Sequence, residues 1–168
     1  ENTTMVLVPQ IVDAVKVPVI AAGGIADGRG AAAAFMLGAK GIQVGTRFVV
    51  TEESQVHEKY KEAILKAKDI DSKVTGRSTG HPVRGLRNQM TKEYLKREAE
   101  GASLEELELL TAGGLRRAVV EGDVTTGSVM AGQSAAMIRE ELSCREVIDR
   151  LMQEMTALLK QGAGSNIV

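Results

Sequence analysis

Three turns built from small residues, each after an apolar stretch, have the composition of an anion-binding site; they span residues 21–24, 44–46 and 129–133. Glycine has no Cβ, so a backbone N–H in such a turn can approach an anion closely. A helix that begins there adds free N–H donors and a partial positive charge. Thr46 adds a hydroxyl donor and Gln133 an amide. The pattern predicts a phosphate site; the alternative is that the glycines only close the strands tightly.

A second motif that could bind an anion follows the first turn. Residues 28–33 read Gly-Arg-Gly-Ala-Ala-Ala and fit the G-x-G-x-x-A pattern of dinucleotide-binding folds. Glu52 lies about 20 residues further on, where the acid that binds the ribose is expected. In that pattern the glycines follow the strand directly, whereas here residues 24–27 intervene. Dinucleotide binding therefore stays an alternative to the phosphate site.

The histidines, Arg84 and the cysteine give weaker indications of a functional site. His81 and Arg84 lie in the glycine-rich stretch 79–84 and are candidate contacts for a substrate or a pyridine nucleotide; a structural role for His81 is the alternative. His57 is expected on the exposed face of a helix. Cys144 is the one cysteine, and without a His or Asn partner we expect it to be inert. No spacing of His, Asp and Glu predicts a metal site.

A strand–helix–strand unit must position the first two turns. Residues 17–22 form a continuous apolar run, which is typical of a strand buried on both faces of a parallel sheet. Asp27 is the predicted N-cap of a helix over 28–37, and residues 41–48 predict a second strand and its exit loop. Pro9 predicts the start of an earlier helical turn. The predicted fold class is α/β, and turns after successive parallel strands are where a (β/α)8 barrel holds phosphate.

Beyond residue 50 the sequence is charged and mostly helical. Ser103 and Ser143 each begin an S-x-x-E capping box and therefore predict helix starts. Hydrophobic periodicity predicts further helices, and a glycine-rich part predicts short strands and turns. The predicted helices span residues 52–68, 90–100, 115–121, 131–142 and 144–160, the strands and turns 69–88, and a loose tail 161–168.

Charge and composition argue against several classes of partner. Lys and Arg number 21 and Asp and Glu 22, so the net charge is −1 and no basic footprint for nucleic acid is present. Two Tyr, two Phe and no Trp leave few rings to stack on bases. No apolar run approaches the roughly 20 residues that span a bilayer. Because no signal peptide is evident either, we expect a cytoplasmic protein without membrane contact.

Several of these segments resemble a known family. Residues 17–28, 37–39 and 43–48 resemble the nitronate monooxygenase-like flavoproteins, which are FMN-dependent (β/α)8 barrels. Within that family the chain looks most like the flavin-dependent enoyl-[acyl-carrier-protein] reductases of bacterial fatty-acid synthesis. The stretches that point to this branch are residues 66–71, 81–84, 88–89 and 127–133.

The resemblance implies roles for particular positions. FMN is the implied cofactor and NADH or NADPH the implied co-substrate. The backbone cradle for the FMN phosphate is implied at Ala22, Gly23, Gly24, Gly45 and Thr46. The loop that closes over the flavin is implied at Met130, Ala131, Gly132 and Gln133. The implied substrate is an enoyl-acyl-carrier-protein, with a homodimer as the assembly. A nitronate monooxygenase that uses oxygen and a non-catalytic flavin-binding module are the alternatives.

The resemblance also implies that this chain corresponds to the C-terminal half of a family member. The histidine proposed as proton donor is expected immediately before Glu1, so no catalytic residue is assigned within the chain. The implied segments are the last βα units of a barrel at 1–50, a small helical lobe at 51–128, and a flavin loop with C-terminal helices at 129–168. Since two parallel strands do not form a stable sheet alone, we expect an N-terminal half-barrel as partner.

Overall fold

The structure is a computed structural model and describes residues 2–164. It divides into two compact units, Glu1–Glu53 with Glu141–Val168 and Ser54–Glu140. In chain order the elements are α1 (Thr4–Ala14), β1 (Ile20–Ala22), α2 (Gly28–Met36), β2 (Gly41–Gln43), α3 (Thr46–Val49), α4 (Glu58–Leu65), a 3-10 turn (Asp69–Asp71), β3 (Ser72–Thr75), β4 (Val83–Leu86), α5 (Gln89–Ala99), α6 (Leu104–Thr111), α7 (Gly114–Val119), a second 3-10 turn (Gln133–Met137) and α8 (Cys144–Gly164). None of the helices described between residues 2 and 164 is long and apolar enough to cross a membrane.

The first unit contains the predicted strand–helix–strand unit. β1 and β2 pair in parallel, with Ile20 opposite Gly41 and Ala22 opposite Gln43, and α2 connects them. The expectation that β1 is buried on both faces is wrong: Ala21 is 2% exposed, but Ile20 is 56% exposed. The reason is that, among the described residues of this unit, the sheet has two strands and its core lies on one side.

Two helices of the first unit differ from the sequence prediction. α1 begins at Thr4 and contains Pro9, so Pro9 does not start the helix. The carbonyl of Thr3 accepts hydrogen bonds from the next turn, and the apolar residues before the proline are helical because Val8 packs into the core. α8 extends to Gly164, so the predicted loose tail is wrong for residues 161–164, and residues 165–168 lie outside the described part.

The long helix α8 covers the alanine-rich helix α2. Its capping box forms as predicted: the Ser143 N–H donates to Glu146 Oε2 at 2.9 Å, and the Glu146 N–H donates to Ser143 Oγ at 3.2 Å. Leu151 and Met155, one turn apart on α8, are both 7% exposed and pack in one cluster with the alanines of α2. The small side chains of α2 therefore allow a close helix–helix contact that builds most of this core.

The second unit is mainly helical around a β-hairpin. β3 and β4 pair antiparallel, with Ser72 opposite Leu86 and Thr75 opposite Val83, which confirms the predicted short strands. α5 and α6 pack through a cluster that includes Tyr94 and Leu107. The capping box predicted at Ser103 is present at the start of α6. The division into segments 1–50, 51–128 and 129–168 stays a prediction.

Two predicted helices of the second unit are shorter than expected. α4 begins at Glu58 rather than residue 52, because His57 is its N-cap and its Nδ1 accepts the Lys59 N–H at 3.1 Å. The predicted helix over 131–142 is wrong: only a 3-10 turn, Gln133–Met137, forms there. Ile138, which ends this turn, is extended and 2% exposed, so burial in an extended conformation prevents further helix.

We expect replacement of Asp27 by Ala to lower the free energy of unfolding by about 1 kcal/mol at neutral pH. Asp27 is the predicted N-cap of α2, and its Oδ1 accepts the Gly30 N–H at 3.0 Å. Partial burial alone would raise the pKa of Asp27, but the Arg29 side chain and the Gly30 N–H outweigh it and hold this pKa below its ordinary value. Urea unfolding at pH 7 measures the loss.

The lowered pKa fixes the sign of the pH dependence at Asp27. Its contribution is present above the unfolded pKa of about 3.9 and is lost as the pH falls through the folded pKa. Between pH 5 and 2 we therefore expect the wild type to lose more stability than the Asp27→Ala variant. The control is Asp27→Asn, which keeps the cap but has no charge to titrate; an equal loss in all three proteins would contradict the assignment.

Candidate functional site

The first predicted turn lies directly after β1 and is exposed. Gly23 has φ +101° and Gly24 has φ +77°, in the left-handed region that favours glycine. The Thr4 hydroxyl of α1 donates to the Gly23 carbonyl oxygen at 2.9 Å, which orients the turn. At Gly24 no atom of the described residues lies within 4 Å of the position that a Cβ would take. The backbone of this turn therefore borders open space.

The second predicted turn follows β2 and has the same character. Gly45 is the N-cap of α3, which begins at the half-buried Thr46. In the part of the chain that the structure describes, no atom lies within 4 Å of a Cβ built on Gly45. Because β1 and β2 are parallel and Ala22 pairs with Gln43, both turns leave the sheet at the same edge. The structure thus brings the two glycine turns together, as the sequence predicts.

The open space beside both turns is compatible with the phosphate of a flavin mononucleotide. A side chain at Gly24 or Gly45 would enter the open space that these exposed turns border at the carboxyl edge of the strands. Backbone N–H groups without a neighbouring Cβ are the donors that phosphate sites of (β/α)8 barrels use. The arrangement can bind and orient an anion, and the described residues there carry no group for acid–base chemistry.

The N-terminus of α2 is not part of this cradle, contrary to the expectation that helix donors assist it. The Gly28 N–H donates to Glu154 Oε2 of α8 at 2.8 Å, and the Gly30 N–H is taken by Asp27. Two carboxylates therefore occupy the helix end, and their negative charge disfavours an anion. The dinucleotide alternative fails for the same reason, since Glu154 fills the place where the motif would hold a pyrophosphate.

The predicted flavin loop, residues 130–133, belongs to the second unit. Met130 pairs with Gly85 of β4 in an isolated antiparallel bridge, and its carbonyl accepts the Tyr60 hydroxyl at 2.8 Å. Met130 is 41% exposed, whereas Ala131 is 6% exposed, and Gln133 begins the 3-10 turn. Gly132 precedes this turn in an extended conformation. The side chain of Met130 is therefore presented on the surface while its backbone is held from both sides.

Tyr60 of α4 contacts the predicted flavin loop, although the sequence analysis assigns it no role there. It is 3% exposed, burial raises the pKa of its phenol, and its hydroxyl orients the loop at Met130. The signal was available: a buried tyrosine must find a hydrogen-bond partner for its hydroxyl. The hydrogen-bond partner of Tyr60 lies 70 residues away in the sequence, and hydrophobic periodicity does not identify such a distant partner.

The structure separates the two candidate contacts for substrate or nucleotide. His81 is exposed, its N–H donates to the Gly76 carbonyl at 3.1 Å, and it lines a cavity of the second unit. Arg84 does not line that cavity: its Nη1 donates to Ser72 Oγ at 3.0 Å across the hairpin. Their roles stay predictions. No group of three or more His, Cys, Asp and Glu that could hold a metal occurs among the described residues.

Comparison with known proteins identifies the class. The sequence profile of a family described as nitronate monooxygenase matches residues 1–154. A probable nitronate monooxygenase of Bacillus subtilis is 37% identical over 150 residues, covering 89% of this chain and 43% of the relative. FabK from Thermotoga maritima superimposes with TM-score 0.93 at 48% identity, over 98% of this chain and 52% of that chain. A nitroalkane oxidase from Streptomyces ansochromogenes has TM-score 0.77 at 30% identity, over 96% and 45%.

The fold and these matches define the class: the chain has the α/β architecture of part of a (β/α)8 barrel with an additional small lobe, as found in a family of oxidoreductases. The chain belongs to the nitronate monooxygenase family, whose members are flavin-dependent. It spans about half the length of the proteins it matches. The predicted fold class is thus confirmed.

Proposed function

We propose that the chain forms the phosphate-binding part of an FMN-dependent enoyl-acyl-carrier-protein reductase. The observation that carries the proposal is the pair of glycine turns at one edge of the β1–β2 sheet, each bordering open space. The likeness to FabK at 48% identity supports this branch of the family. When bound, FMN would relay a hydride from NADH or NADPH to the β-carbon of an enoyl thioester, whose α-carbon is then completed by a proton.

The residues of this chain would bind and orient rather than react. The backbone at Gly24 and Gly45 would hold the terminal phosphate, and the Thr4 hydroxyl keeps the first turn in its conformation through the Gly23 carbonyl. Ala22 and Thr46 flank these glycines and complete the proposed cradle. Tyr60 holds the Met130 carbonyl and so fixes the start of the loop proposed to close over the flavin.

A nitronate monooxygenase, with oxygen as electron acceptor, is the second candidate. The specific observation in its favour is the name of the relative from Bacillus subtilis, supported by the likeness to the nitroalkane oxidase. The same cradle would serve both reactions, because the phosphate site does not contact the reacting atoms. A non-catalytic flavin-binding module is the third candidate.

Substrate assays on the FMN-loaded assembly of this chain with the expected N-terminal half-barrel separate these candidates. We expect a crotonyl thioester to drive rapid oxidation of NADH or NADPH, with little oxygen uptake in the presence of nitroethane. Oxygen uptake with nitroethane and no thioester-dependent oxidation would instead establish the monooxygenase. FMN bound tightly, seen by quenching of flavin fluorescence, with neither turnover would establish the module.

We further propose that an N-terminal half-barrel covers the exposed apolar surface of the first unit, and that the complete assembly dimerises. Ile20 of β1 is 56% exposed, and Val17, which precedes this strand, is 68% exposed. An apolar strand face of this kind is stable only when it is covered. Native mass spectrometry tests this: a folded monomer of 17.9 kDa as the sole species would contradict both proposals.

A further inference from the structure

The second unit encloses a cavity of about 320 Å3 to which no occupant has been assigned above. The β3–β4 hairpin forms one wall, α5 and α6 form the others, and residues 128–130 close one end. The volume is at the small end of the range for ligand pockets, which is roughly 300–1,000 Å3. All lining residues belong to the second unit, so the cavity is a property of that unit alone.

The floor of the cavity is apolar and buried. Leu86 of β4, Met90 of α5 and Val129 are 6%, 9% and 3% exposed, respectively. The ring of Tyr94 completes the floor at 7% exposure. Burial, and to a smaller extent the neighbouring Glu98, raise the pKa of Tyr94, so the phenol stays neutral at physiological pH. A neutral, apolar floor favours an uncharged, apolar ligand.

The rim is unusual because large apolar side chains stand exposed around it. Val83, Leu104, Leu115 and Met130 are each between 41% and 48% exposed, and all four line the cavity. Four exposed apolar side chains that line one cavity are notable, whereas single exposed apolar residues are ordinary on a surface. An apolar ligand that extends from the floor past these side chains would cover them and remove them from water.

Polar groups occur at defined places on the wall. Lys73 and Thr75 of β3 face the cavity on the same side of the hairpin as Val83, and His81 lies near the turn. The carboxylate of Glu108 lies on the opposite wall, on α6. A chain of methylene groups would match the apolar floor. A polar head of amides and carbonyls would match the hydroxyl, ammonium and imidazole donors on one wall.

We infer that this cavity holds the acyl chain of the thioester substrate; this rests on the proposed reductase function. Met130 links the cavity to the proposed reaction, because Met130 lines the cavity and also begins the loop proposed to close over the flavin. A thioester whose reacting carbons lie at that loop would extend its tail over Met130 onto the floor at Leu86 and Met90. The volume suits short and medium chains, and a nitroalkane of two carbons would not need it.

A binding experiment without turnover tests the inference. Calorimetric titration of the full 168-residue chain uses butanoyl-pantetheine and octanoyl-pantetheine, which are saturated thioesters and therefore cannot be reduced. Each buried methylene tightens binding by up to about fourfold, so we expect the octanoyl compound to bind at least about tenfold more tightly. The Leu104→Asp variant should weaken octanoyl binding about tenfold, and Leu115→Asp should do the same on a second helix.

Leu109→Asp is the matched control. Leu109 lies on α6 like Leu104, is 77% exposed and does not line the cavity, so the same change there should leave the dissociation constant within about twofold. Equal affinity for both chain lengths, or equal effects at positions 104 and 109, would overturn the inference. Chain-length-dependent binding in a protein that fails the crotonyl thioester assay would support the cavity assignment and reject the proposed reductase.

Discussion

Replacement of Gly28 by Ala is expected to lower the free energy of unfolding by about 2–3 kcal/mol. A Cβ at this position would lie 2.5 Å from the Cβ of Glu154 and 2.5 Å from the backbone nitrogen of Met155. The obstacle is partly backbone, so α8 must move away from α2. The resulting overpacking strain lowers the free energy of unfolding by about 1–3 kcal/mol. The movement also weakens the hydrogen bond from the Gly28 N–H to the Glu154 carboxylate. The higher helix propensity of alanine returns at most about 1 kcal/mol.

Urea unfolding followed by circular dichroism measures this loss as a lower midpoint with an unchanged slope. Gly30→Ala, on the same helix, is the control: its Cβ would lie 3.4 Å from the nearest atoms of Ile25, an ordinary contact. We expect that variant to be as stable as the wild type or slightly more stable. Similar midpoints for Gly28→Ala and Gly30→Ala would show that α8 does not pack on α2 as described.

Replacement of Gly45 by Val is expected to weaken FMN binding by at least about tenfold while the chain stays folded. The new side chain would enter the open space beside the second turn, where no protein atom lies within 4 Å, and would exclude the phosphate from the backbone. Gly45 has φ −101°, which a valine adopts without left-handed strain. As an N-cap, valine is less favourable than glycine by no more than about 1 kcal/mol.

Quenching of flavin fluorescence on titration with FMN gives the dissociation constant, and urea unfolding of the same sample confirms that the fold is kept. Gly162→Val is the control, since Gly162 also borders open space but lies near the end of α8. Its FMN affinity should equal that of the wild type. Unchanged FMN binding by Gly45→Val would reject the cradle and with it the proposed function.

The elements that depend on near neighbours in sequence were predictable. The apolar run before the double glycine predicts β1, Asp27 predicts the start of α2, and the serines at 103 and 143 predict the starts of α6 and α8. In each helix cap, the bonding partners lie within three residues of one another. Such short-range hydrogen bonds form from the residue types alone, so they can be predicted without the tertiary structure.

The sequence by itself therefore determined the parallel strand pair, because a helical connection between two consecutive strands favours parallel pairing. It also determined the two glycine turns at the edge of that pair, because the backbone freedom of glycine is a local property. Only the tertiary structure decided that Glu154 takes the N-terminus of α2 from 126 residues away, and that Tyr60 holds Met130 from 70 residues away. It alone also decided that Leu104 and Leu115 face the cavity with Met130. The physical reason is that these contacts arise from packing between distant segments, whose partners no local pattern specifies.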